Sequence, residues 1–345
     1  MNKSLILCLL AISGLMIATP GCKKAAEALQ TPADQVEIAT HADDDAMVAD
    51  VIDDITTDAN ALIEADASLS GDASVVDEVI CDASVALDTE SDPMKATVTF
   101  NGANCGKHTR NGAVVLSMPK GTKWKDAGAA ITIQYENFAI TRKSDGKTIV
   151  LNGTHIYTNV SGGLVYHAAS LDSIVHTLVS ENLSIKFDDE TARNWNMSRK
   201  KEFTYDNGLV ISVSGMHNTE EESNVADWGT NRFGKEFTTS ITSPIVLKQD
   251  CDFRVSAGTI KHKTEVFTST ATFGLDASGN ATACPGSGKY YYRLEWSKNS
   301  NGNSFDLILP YSEENFIIKK TAVSRGFIIY KSFHVLAIYL GKLEH

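Results

Sequence analysis

The sequence predicts an all-β protein, a large antiparallel meander built as a sandwich or a curved half-barrel, entered through an acidic N-terminal helix. Three observations carry that expectation. From about Val79 onward apolar residues recur at every second position, tight-turn motifs separate the resulting segments, and no long helical periodicity interrupts Lys95 to Pro310. Alternation of this kind gives each strand one dry and one wet face, the habit of antiparallel sheets.

Taken in chain order, the first element is a targeting segment. Lys3 precedes an apolar run of thirteen residues, Leu5 to Ile17, broken only by Ser13 and Gly14, and small residues lead to Gly21-Cys22. The run is too short for a bilayer-spanning helix, which needs roughly twenty residues, and its order is that of a cleaved signal peptide over residues 1–21. Gly21-Cys22 resembles the lipobox of bacterial lipoproteins, with Thr19 and Pro20 departing from the usual pattern. That resemblance implies acylation of Cys22 and a membrane-tethered chain; several acyl chains hold a protein durably, each buried CH₂ adding about 0.8 kcal/mol.

Residues 22–75 read as an acidic linker. Between Asp43 and Glu64, Val48, Ile52, Ile55, Ala59, Leu62 and Ile63 recur at steps of three and four, which predicts an amphipathic helix of about twenty residues. Ser68 to Ser74, with Gly71, marks a break. The formal charge of -12 is concentrated here: Ala25 to Met94 holds nineteen Asp and Glu and no Lys or Arg, and from Lys95 onward 28 basic residues face 24 acidic ones. The acidic block is expected to be a solvated spacer that holds the body away from anionic headgroups, and it argues against nucleic acid as a partner. Asp43, Asp44 and Asp45 are adjacent, but the glycine-centred spacing of a calcium loop is missing.

The β domain is placed at residues 76–311. Ala96–Phe100, Val114–Met118, Ile131–Ile140 and Thr148–Tyr157 are its first expected strands, followed by Leu183–Phe187, Lys201–Tyr205, Leu209–Val213, Glu236–Ile241 and Pro244–Lys248. Gly258–His262, Val266–Phe273, Tyr290–Trp296 and Phe305–Leu309 complete the set. Asp206-Asn207-Gly208 and Ser144-Asp145-Gly146 are hairpin signals, because Asn and Gly accept the positive φ of tight turns. Residues 312–345 form a basic, apolar C-terminal extension, too short and interrupted to read as a membrane span.

Cys8 is expected to leave with the signal peptide and Cys22 is the lipid candidate, so Cys81, Cys105, Cys251 and Cys284 remain. Four cysteines in an exported chain read as two disulfides. Of the three connectivities, the local contexts favour Cys81–Cys105 and Cys251–Cys284. Cys105 and Cys284 each end a strand-turn unit, with another cysteine 24 and 33 positions earlier. No C-x-x-C pair is present, which argues against thiolate zinc.

No nucleophile elbow, phosphate loop, dinucleotide fingerprint or H-E-x-x-H motif occurs, so no catalytic residue, metal site or cofactor is assigned. His155, His167 and His176 share a region without metal-ligand spacing. Asp188-Asp189-Glu190 and Glu220-Glu221-Glu222 read as solvated turns. The one specific candidate is Trp228-Gly-Thr-Asn-Arg-Phe-Gly234, a glycine-bounded stretch in which Trp228, Arg232 and Phe233 are the candidate ligand-binding residues.

The relaxed Gly-Cys lipobox, the acidic helical linker and the Thr-rich meander resemble uncharacterised exported lipoproteins of Bacteroidota. The resembling motifs are Thr97-Val-Thr-Phe, Asn152-Gly-Thr-His-Ile-Tyr-Thr-Asn and Trp228-Gly-Thr-Asn-Arg-Phe-Gly. The resemblance implies an outer-membrane location and a β fold, and supplies no activity. The expected function is a non-enzymatic binding or adhesion module for a glycan, a peptide or another envelope protein. Two alternatives stand beside it: a structural or assembly protein that shelters a lipid or an envelope client, and a hydrolase, which would need two carboxylates close in space.

Overall fold

In a computed structural model, the described residues are 32–72, 80–103, 105–251, 253–282, 289–299 and 304–310. The signal peptide, Cys22, Cys284 and the C-terminal extension lie outside them. A long helix, α1 (Pro32–Ala65), is followed by the short α2 (Ala67–Ser70) and then by strands in one sheet. The strands are β1 (Ala83–Asp88), β2 (Met94–Asn101), β3 (His108–Met118), β4 (Ala129–Arg142), β5 (Thr148–Asn159), β6 (Ile174–Lys186) and β7 (Ala192–Tyr205). They continue as β8 (Leu209–Gly215), β9 (Val225–Thr230), β10 (Glu236–Lys248), β11 (Val255–Thr264), β12 (Phe267–Leu275), β13 (Tyr291–Lys298) and β14 (Ser304–Pro310).

Every strand pairs antiparallel with its neighbour in sequence, except that β8 and β9 share one lane between β7 and β10. β8 pairs with Arg199–Tyr205 of β7 and Ile245–Lys248 of β10, while β9 pairs with Trp195–Met197 of β7 and Glu236–Ser240 of β10. The predicted turns form as expected: Asn207 has φ +54° between β7 and β8, and Gly146 has φ +79° between β4 and β5. The separate strands expected at Glu236–Ile241 and Pro244–Lys248 are one strand. Its register slips between Ile241 and Val246, and the irregularity accommodates Pro244, which has no N–H to give a ladder.

From His41 to Glu64 the acidic stretch is not a solvated spacer. No residue from His41 to Glu64 is exposed, because the sheet curves around α1 and encloses it. The helix is also longer than its apolar period suggested. It starts at Pro32, a residue suited to the first helical turn, and runs through Asp43-Asp44-Asp45. Val48, Ile52, Ile55, Ile63 and Leu69 pack in one cluster with inward residues of β2 to β7, while Ala42 and Ala46 join a second cluster with β8 and β10 to β14. Each fully buried aliphatic side chain stabilises the fold by roughly 1.5–3 kcal/mol.

Buried carboxylates are costly unless paired, and cations of the sheet meet them along α1. Asp43 accepts from Arg142 at 2.7 Å and from Lys147 at 2.6 Å, and Asp53 accepts from Lys201 at 2.9 Å. Asp58 accepts from Arg110 at 2.6 Å, while Arg110 also grips Asp82, whose Oδ2 is 2.8 Å from Nε. Burial would raise the Asp43 pKa, but Arg142 and Lys147 hold it below its ordinary value. The excess positive charge downstream of Lys95 thus includes the counter-charge for the helix.

Cys81 and Cys105 are joined as expected, with Cα atoms 6.0 Å apart. Closing a loop of that length is worth about 3–4 kcal/mol in the chain-entropy model. Cys251 is buried and is itself half of a disulfide. No helix among the described residues is long and apolar enough to cross a membrane.

Candidate ligand-binding groove

The lane shared by β8 and β9 creates the candidate site. As β8 ends, the chain turns out through residues 216–224 and returns as β9, and His217 pairs with Val225 across the base of this loop. Gly215 makes the crossing: a Cβ there would stand 2.0 Å from the Asn224 carbonyl oxygen. The loop then folds back over the outer face. The Glu222 carboxylate accepts from Thr238 at 2.9 Å, Ser240 at 3.0 Å and Lys261 at 2.8 Å. Burial would raise the Glu222 pKa, but these partners hold it below the ordinary value.

Alternation decides which β9 side chains face outward. Asp227 points inward to the Arg199 guanidinium at 2.7 Å, so its neighbour Trp228 points to the loop side. Cross-strand register aligns Asn196, Trp228, Thr238 and Lys263 in one row. The Trp228 indole stacks on His217 with ring centroids 4.1 Å apart and planes at 14°. Between this row and the loop lies a groove of about 730 Å³, walled also by Glu220, Glu221, Glu236 and Glu265. That volume lies within the range typical of ligand pockets, roughly 300–1,000 Å³.

No family model, curated protein or solved structure matches this chain.

The three residues singled out in the sequence separate in space. Trp228 lines the groove. Arg232 does not: its guanidinium turns inward to Asp44 on α1, at 2.6 and 2.7 Å, reaches Asp188 at 2.8 Å and lies 4.7 Å over the Phe187 ring. Burial opposes its charge, but Asp44 and Asp188 outweigh burial and raise its pKa. Phe233 is 41% exposed on the turn beyond β9, outside the groove lining. Trp124, Trp195 and Tyr292 are core residues.

Glu220-Glu221-Glu222, read as a solvated turn, is a wall of the groove. Its sequence signal was the long polar interval between two strands of one lane, and β9 itself was missed because Gly229 and Asp227 obscure its alternation. A Cβ at position 229 would meet the Asn194 carbonyl oxygen at 2.3 Å, so glycine lets β9 lie close on β7.

Other titratable clusters lie outside the groove lining. His155 Nδ1 bonds Tyr135 Oη at 3.0 Å and His176 Nδ1 bonds Tyr157 Oη at 2.6 Å; burial pushes both imidazoles down to about 3. His108 lies between Asp50 and Asp54, with Nε2 3.5 Å from the first and Nδ1 3.7 Å from the second. Asp50 and Asp54 are one turn apart on α1, and one ligand atom from each of the three residues lies within 4.8 Å of the others, close enough to hold a metal ion. Beside α1, Asp45, Asp53, Arg199 and Asp227 border a cavity of about 50 Å³. Burial, then the neighbouring Asp227 charge, raises the Asp45 pKa well above its ordinary value.

Proposed function

We propose that this chain is a lipid-anchored cell-envelope protein whose β domain is a non-enzymatic binding module, and that its ligand lies in the groove beneath loop 216–224. The observation that supports this reading is the groove itself, with one face of the Trp228 indole held by His217 on the outer side of the sheet. An aromatic ring beside carboxylate, amide and hydroxyl side chains offers both stacking and oriented hydrogen bonds. The anchor at Cys22 and the envelope address rest on the lipobox resemblance.

The alternative of sheltering a lipid finds less support. The helix occupies the concave side of the sheet, and the cavity beside Asp45 and Asp53 holds only about 50 Å³, lined partly by charge. A glycan and peptide array probed with the full chain and with Trp228→Ala tests the reading. Binding to a defined class, lost in the variant at unchanged thermal midpoint, supports it. Turnover of an envelope polymer, lost on changing one groove carboxylate, would replace it with a hydrolase.

A further inference from the structure

The groove is unevenly charged. Five carboxylates line it, Glu220, Glu221, Glu222, Glu236 and Glu265, against the single ammonium of Lys263. Lys263 is engaged by Glu221 at 3.0 Å, and Glu222 by Lys261 at 2.8 Å. Glu220, Glu236 and Glu265 make no ion pair among the described residues, and all three are exposed. They come from three separate places: the 216–224 loop, the start of β10 and the turn between β11 and β12.

The folding energetics of this region do not use these three charges. Elsewhere in the molecule sheet cations answer the acidic residues of α1, whereas here three carboxylates stand around an open space with Trp228 at its floor. A concave site lined by one sign of charge concentrates ligands of the opposite sign, and an indole face adds attraction for an ammonium or guanidinium.

Resting on the binding-module reading, we propose that the groove takes a basic peptide segment, with one Lys or Arg side chain over Trp228 and further cations facing Glu220, Glu236 and Glu265. An extended chain suits this layout, because its successive side chains reach separated carboxylates that a single small cation would contact one at a time. The groove volume of about 730 Å³ accommodates several residues of such a segment. Asn194, exposed at the rim, is placed to hydrogen-bond the peptide backbone.

The test is calorimetric titration of the full chain with the hexapeptide Gly-Lys-Gly-Lys-Gly-Lys and with the same peptide acetylated on every lysine. The free-amine peptide should bind at least about tenfold tighter than the acetylated one, and about 0.5 M salt should erase much of the difference. Trp228→Ala and the triple change Glu220→Gln, Glu236→Gln, Glu265→Gln should each weaken binding at least about tenfold. Thermal midpoints report folding, and if the triple variant melts early, the single changes Glu220→Gln and Glu265→Gln, on exposed turns, take its place with smaller losses. Equal binding of both peptides, or undiminished binding by the Trp228 variant, overturns the basic-peptide assignment. If neutral glycans then bind in a Trp228-dependent way, the binding-module reading survives that failure. If no array member, charged or neutral, depends on Trp228, both readings fall.

Discussion

Arg232 and Asp44, 188 positions apart, meet as a bidentate pair inside the molecule, with Nε 2.6 Å from Oδ2 and Nη2 2.7 Å from Oδ1. The pair pins the segment after β9 to the enclosed helix. Lys147 reaches Asp44 as well, at 2.5 Å, so the carboxylate is held from two sides of the sheet.

Arg232→Ala should destabilise the fold by about 3 kcal/mol, the lower end for breaking a buried pair, because Lys147 still answers Asp44. Urea unfolding measures this. Binding in the groove should persist in the variant under native conditions, since Arg232 does not line it. A variant of unchanged stability that loses ligand would return Arg232 to the role of a contact residue.

Glu64 supplies a pH dependence. Burial pushes its pKa up to about 7 from 4.5, against the lowering effect of the Val165 and Tyr166 backbone N–H groups it accepts from. The fold therefore prefers the neutral acid. Its contribution is fully present below about pH 4.5 and is lost as pH rises through about 7, a change of about 3 kcal/mol. The stability of the wild type minus that of Glu64→Gln should fall over this window. A flat difference curve would show that Glu64 does not titrate there.

His262 works in the opposite sense. Burial lowers its pKa to about 4 from 6.5, so its contribution is present above pH 6.5 and is lost as pH falls through about 4. Replacing it with Gln should flatten the acid limb of the unfolding curve; an unchanged limb would assign acid sensitivity to other groups.

Gly215→Ala should cost about 1–3 kcal/mol and displace loop 216–224, because the new Cβ would stand 2.0 Å from the Asn224 carbonyl oxygen and the backbone there must shift. The unfolding midpoint reads the cost, and any groove ligand should bind more weakly. A wild-type midpoint would mean that the loop crosses less closely than 2.0 Å implies.

Labelled palmitate fed to expressing cells should enter the chain and be lost in Cys22→Ala. A chain that fractionates as free protein without label would remove the anchor from the proposal.

Much of the sheet was legible because a strand that is dry on one face must write a period of two. Ile131 to Ile140 and Leu209 to Val213 show it, and Asn207 marks their kind of turn. Two strands escaped. β1 is six residues long and exposed along most of its length, so its alternation of Ala83, Val85 and Leu87 is brief and marks no buried face, and β9 is short and crosses with a glycine at position 229. Pro244 read as a strand boundary, whereas a register irregularity let one strand pass through it.

The order of residues by itself determined the antiparallel meander, its tight turns, the helical period of α1 and the local pairing of Cys81 with Cys105, since each depends on neighbours close in the chain. Only the tertiary structure decided what the acidic residues do. A charge looks the same in sequence whether water or a buried guanidinium answers it, and Asp44 finds Arg232 only once the sheet has curved around α1. The same closure turned Arg232 inward, left Trp228 on the outer face and gathered Glu220, Glu236 and Glu265 around one groove. Those placements follow from register and curvature, which arise from contacts distant in sequence.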